Sequence, residues 1–542
     1  MHVRWLAVGS VLTIVLTVLS AQPAAAQQQC ESLSGLKLAY TTITSATMVP
    51  EGPFVAPQGR GGAAAGAAQP PIIVPAHCDV RGTTRPSPDS EIKFAVWLPP
   101  AAAWNGKYRQ EGNGGWAGNI PLRAMIDPLS RGYAVAATDD GHTGGEADWA
   151  VGHPEKVIDF GYRAVHETGV QAKTLIRALY GKDPSLSYFY GCSDGGREAL
   201  MEAQRYPEDF NGIIAAAPAN WWSHLFTGFM WNMLAQAKPP GGAIAPAKMP
   251  AIQKAVLSAC DAIDGVKDGL IEDPRACQFH PAVLTCKGKE TADCLTAPQV
   301  EALKKIYAGP KSPRTGEQIY PGWPPGAEAA ANRSTTTGAS GPSFFGMAVH
   351  EDPKWDPLTF ELDSDVAYGD AKGGPVINSF SPDLRSFRAR GGKLLQYHGW
   401  SDQTITALSS IVYYDRTRAF LSKFPDARSD ASKPVDDFYR MFLVPGMAHC
   451  RGGNGPNDFG NLGGALTSTS NDPERDVFAA MERWVEKGVA PEHVIGSGTV
   501  TGDASKKLTH PLCMYPKVAR YKGTGDVHDA ASFACVAPGN PR

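Results

Sequence analysis

The chain carries almost no net charge and no basic tract: 51 lysines and arginines stand against 54 aspartates and glutamates, leaving −3 at pH 7. Without a cationic field it has little hold on nucleic acid or an anionic membrane, so neither is expected as a partner. Long apolar runs are equally scarce. Leu6 to Leu19 is one, too short to span a bilayer, and no later stretch is long enough. Cys30 lacks the Leu-x-x context of a lipidation site, and no internal repeat stands out.

What the sequence does contain begins with export. His2 and Arg4 precede the Leu6–Leu19 run, and Ala24-Ala25-Ala26 offers small residues before Gln27. That order predicts a signal peptide over 1–26 and a secreted or periplasmic protein. Ten cysteines, an even number, suit an oxidising compartment and up to five disulfides. Sequence alone leaves their connectivity open. Proximity suggests Cys260 with Cys277, Cys286 with Cys294 and Cys513 with Cys535, while Cys30 and Cys78 bracket the N-terminal segment. Cys192 and Cys450 are left over. Gly and Pro are abundant (58 and 44), as in loop-rich exported enzymes.

Short apolar segments alternate with helical patterns. Strands are predicted at 94–98, 132–137, 187–190, 212–217, 393–398 and 439–444, and helices at 162–180, 197–205 and 476–487. The alternation implies an α/β fold, a mostly parallel sheet with helices on both faces. Between about Trp221 and Phe387 the pattern breaks into Pro-, Gly-, Trp- and Asp-rich sequence. It reads as a large inserted lid, 221–387, dividing a catalytic domain of 27–220 and 388–542.

Gly191-Cys192-Ser193-Asp194-Gly195 is a Gly-x-Ser-x-Gly pentapeptide between a predicted strand and a predicted helix, the setting of a nucleophile elbow. A serine hydroxyl needs a base to take its proton. In α/β-hydrolases the partners follow in the order Ser, acid, His, each after a late strand. Asp402 and His449 meet that test. His142, His153 and His166 precede Ser193, and His398, at the end of its strand, reads as structural. Cys192 immediately precedes the serine and Cys450 immediately follows the histidine. A bond between them would tether the two loops within disulfide reach. The amides of Asp194 and of Gly115, in the loop Gly112-Asn113-Gly114-Gly115-Trp116, are candidates for an oxyanion hole, with Gly114 the alternative to Gly115.

These residues resemble the tannase and feruloyl esterase family, which includes the bacterial hydrolase of mono(2-hydroxyethyl) terephthalate. Cys192-Ser193, Asp402 and His449-Cys450 match its Cys-Ser, Asp, His-Cys constellation, and the likeness extends over nearly all the mature chain. It implies an α/β-hydrolase core under a lid, and a carboxylic ester hydrolase working through an acyl-enzyme. The expected substrate is a small aromatic ester, first of feruloyl or hydroxycinnamoyl type; the terephthalate monoester and galloyl esters are alternatives. It also implies a structural Ca²⁺ in the lid, and the loop from Cys260 to Leu270 has the interleaved carboxylates and glycines that a hard cation needs. Its ligands would be the side chains of Asp261, Asp264 and Asp268 and the carbonyls of Val266 and Leu270, with no organic cofactor. Trp323, Phe344 and Phe345 are candidates for stacking on an aromatic acyl group, and Arg333 for gripping a free carboxylate. A serine peptidase would want an amine-binding acidic motif that is not seen. A calcium-stabilised binding protein without catalysis is at odds with an intact Ser, Asp and His set. Oligomeric state stays open.

Overall fold

Continuous apolar runs are what a strand needs when both its faces are covered, and here they assemble into one nine-stranded sheet. The computed structural model describes residues 28–55, 71–329, 343–424, 435–461 and 470–539. The expected signal peptide, residues 1–26, lies outside them. The strands are β1 (Thr41–Val49), β2 (His77–Thr84), β3 (Ile92–Leu98), β4 (Lys107–Glu111), β5 (Ala134–Thr138), β6 (Leu186–Cys192), β7 (Gly212–Ala216), β8 (Lys393–Gly399) and β9 (Tyr439–Val444). Their order across the sheet is β1-β2-β3-β5-β4-β6-β7-β8-β9. The first three strands and the β3–β5 pair are antiparallel; every pair from β5 to β9 is parallel. This is the mixed sheet of an α/β-hydrolase.

The chain runs to one side of β4 to reach β5 and to the other to form β6. Such a reversal opens a crevice at the carboxyl ends of the strands. Glu111 pairs with Tyr190 there, so the loops leaving β4 and β6 emerge side by side.

Helices α1 (Ala164–Tyr180) and α2 (Asp194–Arg205) bury Leu175, Ile176 and Leu200 against one face of the sheet. On the other face α8 (Val477–Lys487) buries Phe478, Met481 and Trp484. Asp476 caps α8 by accepting from the amides of Phe478 and Ala479. Between β7 and β8 the chain forms α3 (Trp222–Ala237), α4 (Met249–Cys260), α5 (Ala297–Ala308) and α6 (Leu362–Lys372), with no sheet strand among the described residues. These helices share an apolar core of their own, which continues into Trp116, Trp149 and Phe160 of the catalytic side. Helix α7 (Ala407–Leu421) follows β8.

Three features were absent from the sequence expectations: the pair β1–β2, strand β4, and a C-terminal hairpin of His493–Val500 with Asp503–Cys513. Strand β4 buries Arg109, Gln110 and Glu111, polar residues that hide a central strand from any search for apolar runs.

Packing of α2 on the sheet is tightest at Gly196. A Cβ there would sit 2.4 Å from the Ala216 carbonyl oxygen and 2.7 Å from Pro218 Cα. Both obstacles are backbone and cannot swing away. Gly196→Ala is therefore expected to cost about 1–3 kcal/mol or more. Urea unfolding would show a lowered midpoint; an unchanged one would refute the packing account.

Candidate active site

Ser193 stands between β6 and α2 with φ 68° and ψ −119°, a conformation most residues avoid. Neighbouring glycines make the turn feasible. A Cβ on Gly191 would lie 2.2 Å from the Gly195 carbonyl oxygen, and one on Gly195 would lie 2.8 Å from that of Asn113. The Ser193 amide donates to the Ala216 carbonyl at 3.0 Å, pinning the turn to the end of β7. The hydroxyl is thereby lifted above the carboxyl edge of the sheet.

His449 and Asp402 reach this hydroxyl from the loops after β9 and β8. Ser193 Oγ lies 2.9 Å from His449 Nε2, and His449 Nδ1 lies 2.7 Å from Asp402 Oδ2. A carboxylate only accepts, so Nδ1–H donates to it and neutral Nε2 is left to accept from the serine. Asp402 is fully buried. Its Oδ1 accepts from the amides of Thr404 (2.7 Å) and Ile405 (2.9 Å). Burial pushes its carboxyl up, but the His449 imidazole and the hydrogen bonds from both histidines outweigh that and hold it well below the usual carboxylate range. A depressed acid stabilises the fold above its unfolded value, about 3.9, and loses that contribution as pH falls through the folded value.

His398, a structural residue at its strand end by sequence, also meets the acid: its Nε2 lies 3.1 Å from Asp402 Oδ2 and 2.9 Å from the Ile405 carbonyl. Two acceptors at Nε2 require it to carry the proton, and Nδ1 meets Ser410 Oγ at 2.7 Å. Asp402 is thus held by two imidazoles. A histidine four residues before the acid, at a strand end, was the available signal.

All ten cysteines are bonded: Cys30–Cys78, Cys192–Cys450, Cys260–Cys277, Cys286–Cys294 and Cys513–Cys535. The Cys192–Cys450 bond joins residues 258 positions apart at a Cα separation of 6.0 Å. It couples the residue before the serine to the residue after the histidine.

The loop after β4 lies against this elbow. Gly115 has φ +64° and open space where a Cβ would be. Asp194 opens α2, whose first amides have no acceptor within the helix. Asn113 binds the loop down: its carbonyl accepts from the Gly195 amide (2.9 Å) and its Nδ2 donates to the Thr138 carbonyl (2.9 Å). Burial pushes His142 down to about 4, so its ring is neutral, and Nε2 donates to the Trp116 carbonyl at 2.5 Å.

Trp323, Phe344 and Phe345 correct the expectation placed on them. All three are at most 1% exposed, packed in the apolar core shared by helices α3 to α6 rather than facing an open cleft. Trp323 lies against Tyr320 and Phe229, and Phe344 against Phe226 and Phe345. Large aromatic rings fill a core as readily as they line a site, and here the core claims them. Arg333 lies outside the described residues.

In the 260–270 loop, Asp261 Oδ1 accepts from the amides of Asp268 and Gly269, Asp264 Oδ1 from Val266, and Asp268 Oδ1 from Leu270. The second oxygens of Asp264 and Asp268 are buried without a donor. Burial, with Asp268 and Glu272 nearby, pushes Asp264 up to about 7. The donor set, all hard oxygen on a tight backbone, fits Ca²⁺.

Comparison with known proteins gives one consistent result. A profile of the family described as tannase and feruloyl esterase matches residues 78–536. A protein described as an uncharacterized esterase, from Xanthomonas campestris pv. campestris, is 42% identical over 98% of this chain and 93% of its own length. A probable feruloyl esterase B-2 of Aspergillus terreus is 34% identical over 85% of this chain and 86% of its own. The crystal structure of feruloyl esterase B from Aspergillus oryzae superposes with a TM-score of 0.84 at 31% identity, covering 94% of this chain and 100% of that one.

Closing so long a loop makes the Cys192–Cys450 bond worth about 5–6 kcal/mol in the chain-entropy view. The double variant Cys192→Ser/Cys450→Ser is expected to unfold at lower temperature. Assayed well below that temperature it should lose at least about tenfold in kcat, since serine and histidine lose their common anchor. Unchanged kcat would mean that the bond stabilises the fold without setting the site.

Proposed function

Because this chain belongs to the tannase and feruloyl esterase family, and is thus a carboxylic ester hydrolase, we propose that it cleaves feruloyl-type aromatic esters through an acyl-enzyme on Ser193. One observation carries the mechanism: an unbroken relay of 2.9 and 2.7 Å from Ser193 through His449 to Asp402. His449 takes the serine proton as Oγ attacks the ester carbonyl, then returns it to the leaving alcohol. Asp402 holds the imidazole in the tautomer this requires and stabilises its cation. Water, activated by the same histidine, releases the acid. The amides of Gly115 and Asp194 receive the developing oxyanion.

The feruloyl assignment is supported by relatives named feruloyl esterase B that match across most of their length. Residues 221–387 act as the lid and 27–220 with 388–542 as the catalytic domain. Export through a signal peptide over 1–26 is supported by the N-terminal pattern and by five disulfides, and no helix among the described residues is long and apolar enough to cross a membrane. A lid Ca²⁺ would be held by Asp261, Asp264 and Asp268 with the carbonyls of Val266 and Leu270, neutralising their charge. The neighbouring contacts give it a purpose: Asn454 Nδ2 donates to the Gly269 carbonyl at 3.1 Å, tying this loop to the one that carries His449.

Ser193→Ala is expected to lower kcat on methyl ferulate by at least about 10³-fold with the fold intact. Retained turnover would exclude Ser193 as the nucleophile. Wild-type rates should rank methyl ferulate above methyl gallate and the terephthalate monoester; another order would move the substrate within the family. A calcium chelator should lower the melting temperature, by an amount equivalent to about 2.7 kcal/mol where the ion stood at 100 times its Kd. No shift would remove the ion.

A further inference from the structure

Behind the nucleophile elbow lies a buried set of acidic side chains that the proposed ester chemistry does not use. Asp194, Arg197 and Glu198 share one face of α2, and Asp140, in the loop after β5, faces them; none is more than 2% exposed. Carboxyl oxygens of Asp140, Asp194 and Glu198 lie within 4.8 Å of one another. One cation serves all three. The Arg197 guanidinium donates to Asp194 Oδ1 (2.5 Å) and to the carbonyls of Gly161 (2.6 Å) and Phe160 (2.8 Å). Asp140 and Glu198 have no ion pair of their own, so Arg197 alone stands against three carboxyls. Both oxygens of Asp140, and Glu198 Oε1, have no donor group. Glu198 Oε2 has one: the Asn113 amide, at 3.0 Å.

We propose that Asp140 and Glu198 share a proton, and that this pair is a latch holding the Asn113–Gly115 loop in register with Ser193. The inference rests on the serine mechanism proposed above. Three buried carboxyls this close, with one guanidinium already paired to Asp194, cannot all be charged; of Asp140 and Glu198 one must keep its proton and donate it to the other. Asp140 is that one, its carboxyl pushed well above the usual range by burial and by Glu198. Glu198 is the acceptor, its other oxygen already taking the Asn113 amide. Through Asn113 the pair acts at the site. The Asn113 carbonyl takes the Gly195 amide, and Gly115 is two residues further on. If the shared proton leaves, the carboxylates repel, Glu198 turns away, and Asn113 loses its acceptor. Other charged groups round the pair are Asp139, His142, Glu202 and the Asp159–Arg163 ion pair. Asp139 accepts from the amides of Lys93 and Gly141, and His142 is neutral.

An acid whose folded-state pKa is raised keeps its proton at low pH and loses it as pH rises through that value. The latch therefore predicts an alkaline fall in kcat, with KM little changed. Asp140→Ala and Glu198→Ala should lower kcat about 10–100-fold, the range of a misplaced oxyanion donor. Asp140→Asn keeps a permanent donor; it should restore most of that kcat and displace or abolish the alkaline limb. Methyl ferulate hydrolysis from pH 5 to 10, with melting temperatures, organophosphonate labelling of Ser193 and metal analysis of each protein, decides the matter. An alkaline limb in Asp140→Asn equal to that of the wild type overturns the latch, as do Ala variants that lose thermal stability while keeping kcat. Stoichiometric metal in the wild type that is missing from Asp140→Asn overturns the shared proton in favour of a cation. Absent labelling of the wild type sinks the serine mechanism itself, a result separable from the other three.

Discussion

Two stretches of backbone touch beneath Ser193 where side chains would hold them apart. A Cβ on Gly112 would meet Gly195 Cα at 2.8 Å and Gly191 Cα at 3.1 Å, and one on Gly191 would collide with Gly195. The loop after β4 and the elbow after β6 thus form one object. This contact lets Asn113 join the Gly195 amide and brings Glu198 under the loop. The neighbouring strands β4 and β6 deliver the two stretches at the same height. The rest of the site is assembled on this base.

From the other side, the Cys192–Cys450 bond fixes the histidine loop to the same elbow. Strands β7 and β8 separate β6 from β9, and sheet twist alone would let their loops diverge. The bond removes that freedom at the residues next to Ser193 and His449. Buried carboxyls then divide by environment. Asp402 receives two amides and two imidazoles and stays ionised. Asp140 receives no donor group and is driven toward its neutral form. Burial is common to both; only the donors differ.

How much of this could be read in the sequence follows from what covers each element. Strands β6 to β9 have both faces buried, and burial forces the apolar runs that betray them. Strand β1 alternates on a largely exposed edge with Thr and Ser, and β4 is polar because Arg109 and Glu111 neutralise each other in the core at 2.6 Å. Neither could have been found by apolar patterning. Ser193, Asp402 and His449 were legible because chain order and strand ends constrain them, and the flanking cysteines added an independent signal. The Asp140–Glu198 contact was not. Its members look like ordinary acids of a loop and a helix until the fold removes water from both. Trp323, Phe344 and Phe345 failed for the converse reason, since an aromatic run in a lid does not say which rings face inward.

Residues 221–387 reach the loops of Asp402 and His449 through backbone and packing rather than through those rings. Thr406, next after Thr404 and Ile405, whose amides Asp402 accepts, donates its hydroxyl to the Gly322 carbonyl at 2.8 Å. On the histidine side, the Leu270 side chain packs so closely on Gly446 that a Cβ there would lie 2.9 Å from it. Both the acid-bearing and the base-bearing loops therefore lean on residues 221–387.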